Sequence, residues 1–319
     1  MADHDPSQSP ENWERDVLRR LAETGLAEQR AARRWGIFFK LLTFAYLGVL
    51  LVAAGGWFRG AENRMGPHTA LVDLSGVIEA DSMASADIIN AGLGDAFEDE
   101  NTKGVILRVN SPGGSPVQAH QINREIRRLR GKHPKIPVYA VVDDICASGG
   151  YYAAVAADEI YVSRGSIVGS IGVLMDGFGF TGAMQKLGVE RRLITAGENK
   201  GFLDPFSPMD ARQRAIAESM LGDIHKQFIE IVRQGRGKRL KETQDTFSGL
   251  FWTGERSVEM GLADGLGDAS HVAREVIKAE NIVDFTPREN LAERFAKRFG
   301  AALGEAVIKV AGSGPGHVR

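Results

Sequence analysis

The pattern of hydrophobic and polar positions divides the chain into a tail, an apolar run and a long body. Residues 41–58 form a run of 18 residues without a charged side chain, and the mostly apolar segment WGIFFK extends this run back to Trp35. A helix needs about 20 apolar residues to cross the hydrocarbon core of a bilayer. The pattern therefore predicts one transmembrane helix over residues 35–58, between a tail of residues 1–34 and a body that begins at residue 59.

Charge around the apolar run predicts its orientation. Arg30, Arg33 and Arg34 lie just before the run, and fewer basic residues follow it closely. By the positive-inside rule, the tail is expected in the cytoplasm and the body on the other side of the membrane. A cleaved signal peptide is the competing interpretation, but a tail of 34 residues is much longer than the basic region that precedes the apolar part of such peptides.

The tail itself has two interpretations. Trp13, Val17 and Leu21 lie at helical spacing among mixed charges, which is compatible with an amphipathic helix over residues 11–34. We favour the simpler interpretation, a solvated tail that carries the arginines that set the orientation.

The body alternates β-rich segments with amphipathic helical segments. The predicted strands are residues 69–78, 103–110, 137–143 and 190–195 together with a β-rich run over 159–175, and the predicted helices are residues 86–95, 117–130, 151–157, 181–187 and 210–234. Such alternation is typical of an α/β fold with a mostly parallel sheet layered with helices.

We expect a single domain over residues 69–285, because no internal repeat or low-complexity linker interrupts this alternation. A linker of residues 59–68 would precede it. Residues 286–319 would form a C-terminal amphipathic helix and tail, with an apolar stripe suited to covering the core or closing an oligomer.

Composition excludes several classes of protein. The chain has 39 Lys and Arg against 41 Asp and Glu, so no overall basic field exists to bind nucleic acid. The single cysteine, Cys146, cannot form an intramolecular disulfide and does not decide the redox compartment. The seven histidines follow no zinc-binding pattern, so we expect neither a metal nor another cofactor.

Two glycine-rich turns carry the candidate chemistry. Residues 111–115 (SPGGS) and 147–152 (ASGGYY) each follow a predicted strand and open a predicted helix. This placement directs free backbone N–H groups and the positive end of a helix dipole into a crevice at the carboxyl ends of the strands. Such a crevice suits an oxyanion or a phosphate.

Ser148, in the second turn, is a candidate nucleophile. A serine at the start of a helix is more often an N-cap, and CASGG departs from the GxSxG elbow at its first position. No Asp and His with a recognisable signature follow it in the order of the α/β-hydrolase triad. Lys200, between Gly197 and Gly201, is an attractive base, because burial favours the neutral amine that a general base requires. Taken alone, a lysine in a loop is almost always a solvated charge.

Four segments together resemble a known family. The segments VILRVNSPGGS (105–115), YAVVDDICASGGYY (139–152), GSIVGSIGV (165–173) and GENK (197–200) closely resemble, in order and spacing, the signal peptide peptidase A family, also called protease IV. These proteins are membrane-bound serine endopeptidases with the Clp/crotonase fold. The similarity covers roughly residues 69–275.

The resemblance implies a role for each candidate residue. Ser148 matches the nucleophile, Lys200 the general base, and Ser170 the serine that hydrogen-bonds the lysine and orients its amine. The implied oxyanion hole consists of Gly113, Gly114 and the backbone N–H of Gly149. Two positions depart from the family pattern, since Asn199 stands where an aromatic residue is common and Gly201 where a serine is expected.

The resemblance also implies partners and a location. The chain matches the short form, which has one copy of the domain, and in short forms neighbouring protomers of a ring supply the serine and the lysine. We therefore expect a homo-oligomeric ring, anchored in the bacterial cytoplasmic membrane by one span, that degrades cleaved signal peptides and other hydrophobic or unfolded peptides at the outer face.

Some alternatives remain. Ile171, Val173, Leu174 and Met175 could line pockets for hydrophobic peptide residues, but packing in the core is at least as plausible for each. A crotonase-type acyl-CoA hydratase or isomerase would share the backbone oxyanion hole, although the predicted anchor argues against it. A catalytically inactive, membrane-anchored scaffold is disfavoured because the two serines and the lysine are all present.

Overall fold

The computed structural model describes residues 10–54 and 66–287. These residues fall into two units, which are described separately. The first unit is helix α1, Pro10–Ala54, with 45 residues. Residues 11–34 lie within this helix, as their spacing allowed, and their described side chains are exposed.

The N-terminal and C-terminal predictions lie only partly within the described range. Within that range, no helix combines the length and the apolar composition needed to cross a membrane. Residues 55–58 of the predicted span and residues 59–65 of the predicted linker are outside it. The predicted C-terminal helix and tail are outside it from residue 288 onward.

The body is built on one sheet. Within the described residues this sheet has eight strands: β1 (His68–Ser75), β2 (Thr102–Ser111), β3 (Val138–Ala147), β4 (Glu159–Val162), β5 (Ile167–Gly169), β6 (Phe251–Thr253), β7 (Gly265–Leu266) and β8 (Ile282–Asp284). The main order is β6-β5-β3-β2-β1-β8, and β4 pairs with both β3 and β7. Each pair is parallel except β5 with β6. The predicted mixed α/β class with a mostly parallel sheet is confirmed.

Helices cover both faces of the sheet. The described helices of the body are α2 (Ala86–Glu98), α3 (Pro116–Lys132), α4 (Gly149–Ala154), α5 (Thr181–Leu187), α6 (Ala211–Arg236), α7 (Gly254–Glu259) and α8 (Ala269–His271), which continues into a π-helical turn, Val272–Ile277. The larger core lies between one face and helices α2, α3, α4 and α6. On the other face, Leu71, Ile106 and Val141 pack against the π-helical turn. Burial on both faces explains the nearly continuous apolar runs of the central strands.

A buried ion pair attaches the end of α6 to the strands. Arg236, whose side chain is 1% exposed, donates two hydrogen bonds to Asp264, at 2.7 and 2.9 Å, and one to the Gly261 carbonyl at 2.8 Å. Asp264 also accepts a hydrogen bond from the N–H of Ile160 in β4 (2.7 Å). Burial acts to raise the pKa of Asp264, but the hydrogen bonds and positive charges of Arg236 and Arg239 outweigh it and hold that pKa below its ordinary value.

Most predicted helices and strands agree with these bounds to within a few residues. The β-rich run over 159–175 forms strands only at β4 and β5. The prediction of a strand over residues 190–195 is wrong, because this segment is exposed and has no strand assignment. The sequence ERRLIT has strand-forming residues, but no strand of the described chain pairs with it, and a single extended segment has no ladder of hydrogen bonds to stabilise it.

Candidate active site

The candidate site lies where β2, β3 and β5 end. Register pairs Ala147 of β3 with Gly169 of β5, so the next residues, Ser148 and Ser170, follow neighbouring strand ends. The Ser148 N–H donates to the Gly169 carbonyl at 2.9 Å, and the Ser170 N–H donates to the Leu250 carbonyl at 2.7 Å. Both serines are half-buried and line one cleft.

Ser148 has the conformation of a residue on a sharp strand-to-helix turn. Its φ is 51° and its ψ is −120°, a combination that L side chains rarely adopt. It occupies the N-cap position of α4, yet its side chain makes no capping hydrogen bond. The sequence alone favoured a serine whose side chain caps the helix, and this interpretation is wrong because the Ser148 hydroxyl makes no such bond. Such strain costs about 1–3 kcal/mol and is typical of functional sites.

The turn at Gly113 and Gly114 packs directly against the turn at Ser148. A Cβ on Gly113 would lie 2.6 Å from the Gly149 nitrogen and 2.7 Å from the Ser148 Cβ. Gly113 also has a φ of 100°, which disfavours any larger residue. Only glycine at this position allows the two turns to approach so closely.

The Gly113 peptide is held at both ends, and this directs the next N–H group. The Gly113 N–H donates to Ser111 Oγ at 3.1 Å, and its carbonyl accepts from the Ile78 N–H at 2.9 Å. In a planar trans peptide the N–H points opposite to the carbonyl, so the Gly114 N–H points away from Ile78. Gly114 lines the cleft, and its N–H has no hydrogen-bond acceptor among the described residues.

Gly149 supplies a second donor beside the first. Its N–H belongs to the first turn of α4 and has no acceptor among the residues that the structure describes. The Gly114 nitrogen lies 3.2 Å from where a Cβ on Gly149 would stand. Gly114 and Gly149 thus present two free donors beside Ser148, whereas the N–H of Gly113 is already used. The three glycines meet as the sequence predicted, but only two have free donors.

The cleft has a volume of about 560 Å³. It is lined by residues from the two glycine turns, the first turns of α3 and α4, the segment after β5, α6 and the segment before β6: Pro112, Gly114, Pro116, Ala119, Ser148, Gly149, Tyr152, Ser170, Gly172, Val173, Leu174, Ile224, Phe228, Ser248 and Gly249. Aliphatic and aromatic side chains dominate its wall away from the serines. The arrangement can therefore hold an apolar side chain next to a hydroxyl and two N–H donors.

One wall is held by an aromatic and polar contact. The Tyr152 ring lies 5.1 Å from the Phe228 ring, measured between centroids. The Tyr152 hydroxyl pairs with Nδ1 of His120 at 3.0 Å, and burial raises the Tyr152 pKa above its ordinary value. The phenol therefore stays neutral and is held in place within the cleft wall.

Lys200 is not part of this cleft. It is exposed in a turn, and residues 191–200 are exposed throughout. The structure thus brings together Ser148, Ser170, Gly113, Gly114 and Gly149, but places the predicted base outside their cleft.

The predicted pocket residues have different outcomes. Val173 and Leu174 line the cleft, Ile171 is fully buried in the core, and Met175 is exposed but is not among the lining residues. Sequence reasoning missed Ile224 and Phe228, which project from the amphipathic helix α6. The helical pattern was visible, but it could not show which buried positions face a cleft.

Two other chemistries can be assessed from the described residues. Cys146 is fully buried, and this burial raises the pKa of its thiol well above the ordinary value, so it is a poor nucleophile. In the residues described, no group of three or more His, Cys, Asp or Glu side chains is arranged to hold a metal ion.

A part of the chain that contains most of the site matches a known peptidase family. The model of peptidase family S49 matches residues 130–283. This segment contains Ser148, Ser170 and Lys200 and begins after the turn at Gly113 and Gly114.

Curated relatives match a similar part of the chain. The Na⁺/H⁺ antiporter NhaA of Brucella melitensis is 48% identical over 173 residues, Protease 4 of Haemophilus influenzae is 32% identical over 221, and a candidate signal peptide peptidase SppA of Enterococcus faecium is 29% identical over 189. The alignments cover 54%, 67% and 59% of this chain, and 23%, 35% and 54% of those relatives. The chain therefore spans less than two thirds of each relative, and over three quarters of the antiporter lies outside the match.

Proposed function

Since the chain belongs to peptidase family S49, the family of signal peptide peptidase A, we propose that it is a serine endopeptidase with Ser148 as its nucleophile. The observation that carries the proposal is the strained, uncapped Ser148 beside two free N–H donors in an apolar cleft. The mostly parallel sheet fits the Clp/crotonase fold of that family.

The geometry supports a two-step hydrolysis. Ser148 Oγ attacks the carbonyl carbon of the substrate and its proton passes to the base, which gives a tetrahedral intermediate. The N–H groups of Gly114 and Gly149 stabilise the negative oxygen of that intermediate. The base then returns the proton to the leaving amine as the peptide bond breaks, and water hydrolyses the acyl-enzyme by the same route.

Lys200 of a neighbouring copy is the proposed base, with Ser170 positioning its amine. Two observations support a contribution from another copy: Lys200 is exposed, and it does not line the cleft that contains Ser148 and Ser170. Insertion into a neighbour's cleft would remove water from the amine and favour its neutral form.

Exposed apolar residues around Lys200 support a homo-oligomer. The segment between β5 and α6 exposes several large apolar side chains: Leu174, Phe178, Leu187, Val189, Ile194 and Met209. Ile194 is 95% exposed and Phe178 80%. An apolar surface of this kind is typical of an interaction site, and a ring of copies would bury it while it delivers Lys200.

Membrane attachment and substrate class complete the proposal. The apolar run of residues 35–58 and the arginines before it favour one span, with the body outside the cytoplasm. An apolar cleft near the outer face suits cleaved signal peptides and other hydrophobic or unfolded peptides.

Peptide hydrolysis by the full-length chain in detergent tests the proposal. The wild-type protein should cleave a fluorogenic apolar peptide, and Ser148→Ala should abolish turnover while thermal unfolding stays nearly unchanged. Cys146→Ala, which removes the neighbouring thiol, should remain active. Full activity of Ser148→Ala would contradict the proposal, and acyl-CoA hydration or isomerisation in its place would favour the crotonase alternative.

A further inference from the structure

Ser111, the last residue of β2, has no role in the reaction described so far. It is fully buried, and its hydroxyl lies beneath the turn that carries the oxyanion donors. We propose that Ser111 is a positioning residue, whose hydroxyl fixes the Gly113 peptide so that the N–H of Gly114 faces the reacting oxygen. The inference rests on the proposed peptidase function.

The hydroxyl connects two segments that meet behind the site. Ser111 Oγ donates to the Gly76 carbonyl at 2.6 Å and accepts from the Gly113 N–H at 3.1 Å. A hydroxyl can donate its one proton and accept a hydrogen bond at the same time, so both contacts form together. The contact therefore links the end of β1 to the oxyanion turn through one buried atom.

This link restricts a residue that has little restriction of its own. Gly113 has no side chain and a φ of 100°, a region in which glycine moves readily. Ser111 Oγ holds its N–H, and the Ile78 N–H holds its carbonyl. Because the N–H and the carbonyl of Gly113 are both held, the direction of the Gly114 N–H is fixed. Of these two hydrogen bonds, only the one to Ser111 involves a side chain.

Ser111 also contacts the turn that carries the nucleophile. It pairs in register with Cys146 of β3. A Cβ on Gly150 would lie 2.9 Å from the Ser111 carbonyl oxygen and 3.3 Å from its Cβ. One buried residue therefore touches both halves of the site, the oxyanion turn and the start of α4.

The effect expected of such a residue is confined to the transition state. The oxyanion forms only after Ser148 has attacked, so a misdirected Gly114 N–H weakens the intermediate and leaves substrate binding nearly unchanged. Loss of the Ser111 hydroxyl should therefore lower kcat and have little effect on KM.

Ser111→Thr and Ser111→Val test this expectation in the full-length protein. Thr and Val have the same shape, so the comparison isolates the hydroxyl from the added methyl groups. With a fluorogenic peptide, the Val variant should have a kcat at least about tenfold below that of the Thr variant, with KM within about twofold. Affinity for a peptide aldehyde, which forms a tetrahedral adduct, should fall in parallel with kcat.

Ser115→Ala provides a matched control in the same turn. Its hydroxyl caps α3 by accepting a hydrogen bond from the Gln118 N–H, so its loss should cost some thermal stability but preserve kcat. If the Val variant fails to fold, Ser111→Ala replaces it in the comparison with Thr. Equal kcat values for folded variants with and without the hydroxyl would overturn the role of Ser111. Activity retained by Ser148→Ala would instead contradict the proposed function itself, so the two failures are distinguishable.

Discussion

Ser148 and Ser170 both have a φ of 51°, and both follow the ends of neighbouring parallel strands. Backbone strain at two adjacent strand ends directs both residues into one cleft instead of continuing the strands. Strain of this kind must be supported by the surrounding packing, which here includes the buried ends of β3 and β5. At the residue scale, the fold holds Ser148, the proposed nucleophile, and Ser170 in place before any substrate arrives.

The close approach of the two turns gives a prediction for Gly113→Ala. The new Cβ would stand 2.6 Å from the Gly149 nitrogen, so it would displace the second oxyanion donor and strain the backbone. We expect kcat to fall by about 100-fold or more, the loss typical of one oxyanion donor. Peptide hydrolysis and thermal unfolding measure the two effects separately.

Gly131→Ala is the control for this prediction. Gly131 lies in helix α3, and a Cβ there meets nothing within 4 Å. It should leave kcat unchanged and raise stability by about 0.5–1 kcal/mol, since alanine is the better helix former. Wild-type kcat in Gly113→Ala would contradict the assignment of Gly149 as a donor.

At this scale the motifs predicted which residues meet, but not the part that each plays. Ser148 and the three glycines come together as expected from two turns that follow parallel strands. The Gly113 N–H is occupied by Ser111 Oγ, and the direction of the free Gly114 N–H depends on the contact between the Gly113 carbonyl and Ile78. Neither contact could be predicted from the motif, because Ile78 comes from another connection and the side chain of Ser111 has no fixed direction in a sequence.

At the scale of the elements, the cleft depends on how helix α6 is attached to the strands. Helix α6 contributes Ile224 and Phe228 to the cleft, and its last residue, Arg236, is fixed by Asp264. Removal of one partner from a buried ion pair leaves an uncompensated charge and costs about 3–5 kcal/mol. The cleft wall therefore depends on an ion pair near the other end of its helix.

Asp264→Asn should show this dependence in the pH profile of stability. The folded pKa of Asp264 lies below its unfolded value, so its contribution is present above the unfolded pKa, about 3.9, and is lost as the pH falls through the folded pKa. Urea unfolding should show wild type more stable than Asp264→Asn at pH 7, with the difference narrowing below about pH 4.

Glu190→Gln is the control for this measurement. Glu190 pairs with Arg192 on the surface, where both side chains are largely exposed, and such pairs contribute about 0–1 kcal/mol. It should change the stability little at either pH. A difference between wild type and Asp264→Asn that stays constant from pH 7 to pH 3 would contradict the role given to the ion pair.

Helices and strands that pack against buried neighbours could be predicted from the sequence pattern, whereas the conformation of exposed segments was harder to predict. The central strands and α6 follow from their apolar patterns because packing acts on the same residues that form the pattern. Residues 190–195 have strand-forming residues, but no strand of the described chain pairs with them, so local preference gave the wrong answer.

At the scale of the whole molecule, the two proposed catalytic side chains lie apart. Ser148 lines the cleft, while Lys200 is exposed outside it. Resemblance to the family identified Ser148 and Lys200 as candidates. It could not place the two side chains relative to each other, since a contact between copies leaves no spacing pattern within one chain.

Subunit mixing tests whether the dyad forms between copies. Ser148→Ala and Lys200→Ala should each be inactive, but co-assembly of equal amounts should restore about one quarter of wild-type activity, because about one quarter of mixed interfaces combine an intact serine with an intact lysine. The activity is measured after co-expression and purification of the mixed oligomer. No recovery in a verified mixed oligomer would contradict a shared site.

Covalent labelling is the most direct test of the central claim, that Ser148 is an activated nucleophile. The full-length protein is treated with a fluorophosphonate, and the modified residue is located by peptide mass spectrometry, with Lys200→Ala for comparison. An activated Ser148 should give one adduct, on Ser148, with labelling strongly slowed in Lys200→Ala. A reactive residue other than Ser148, or equal labelling of wild type and unfolded protein, would contradict it.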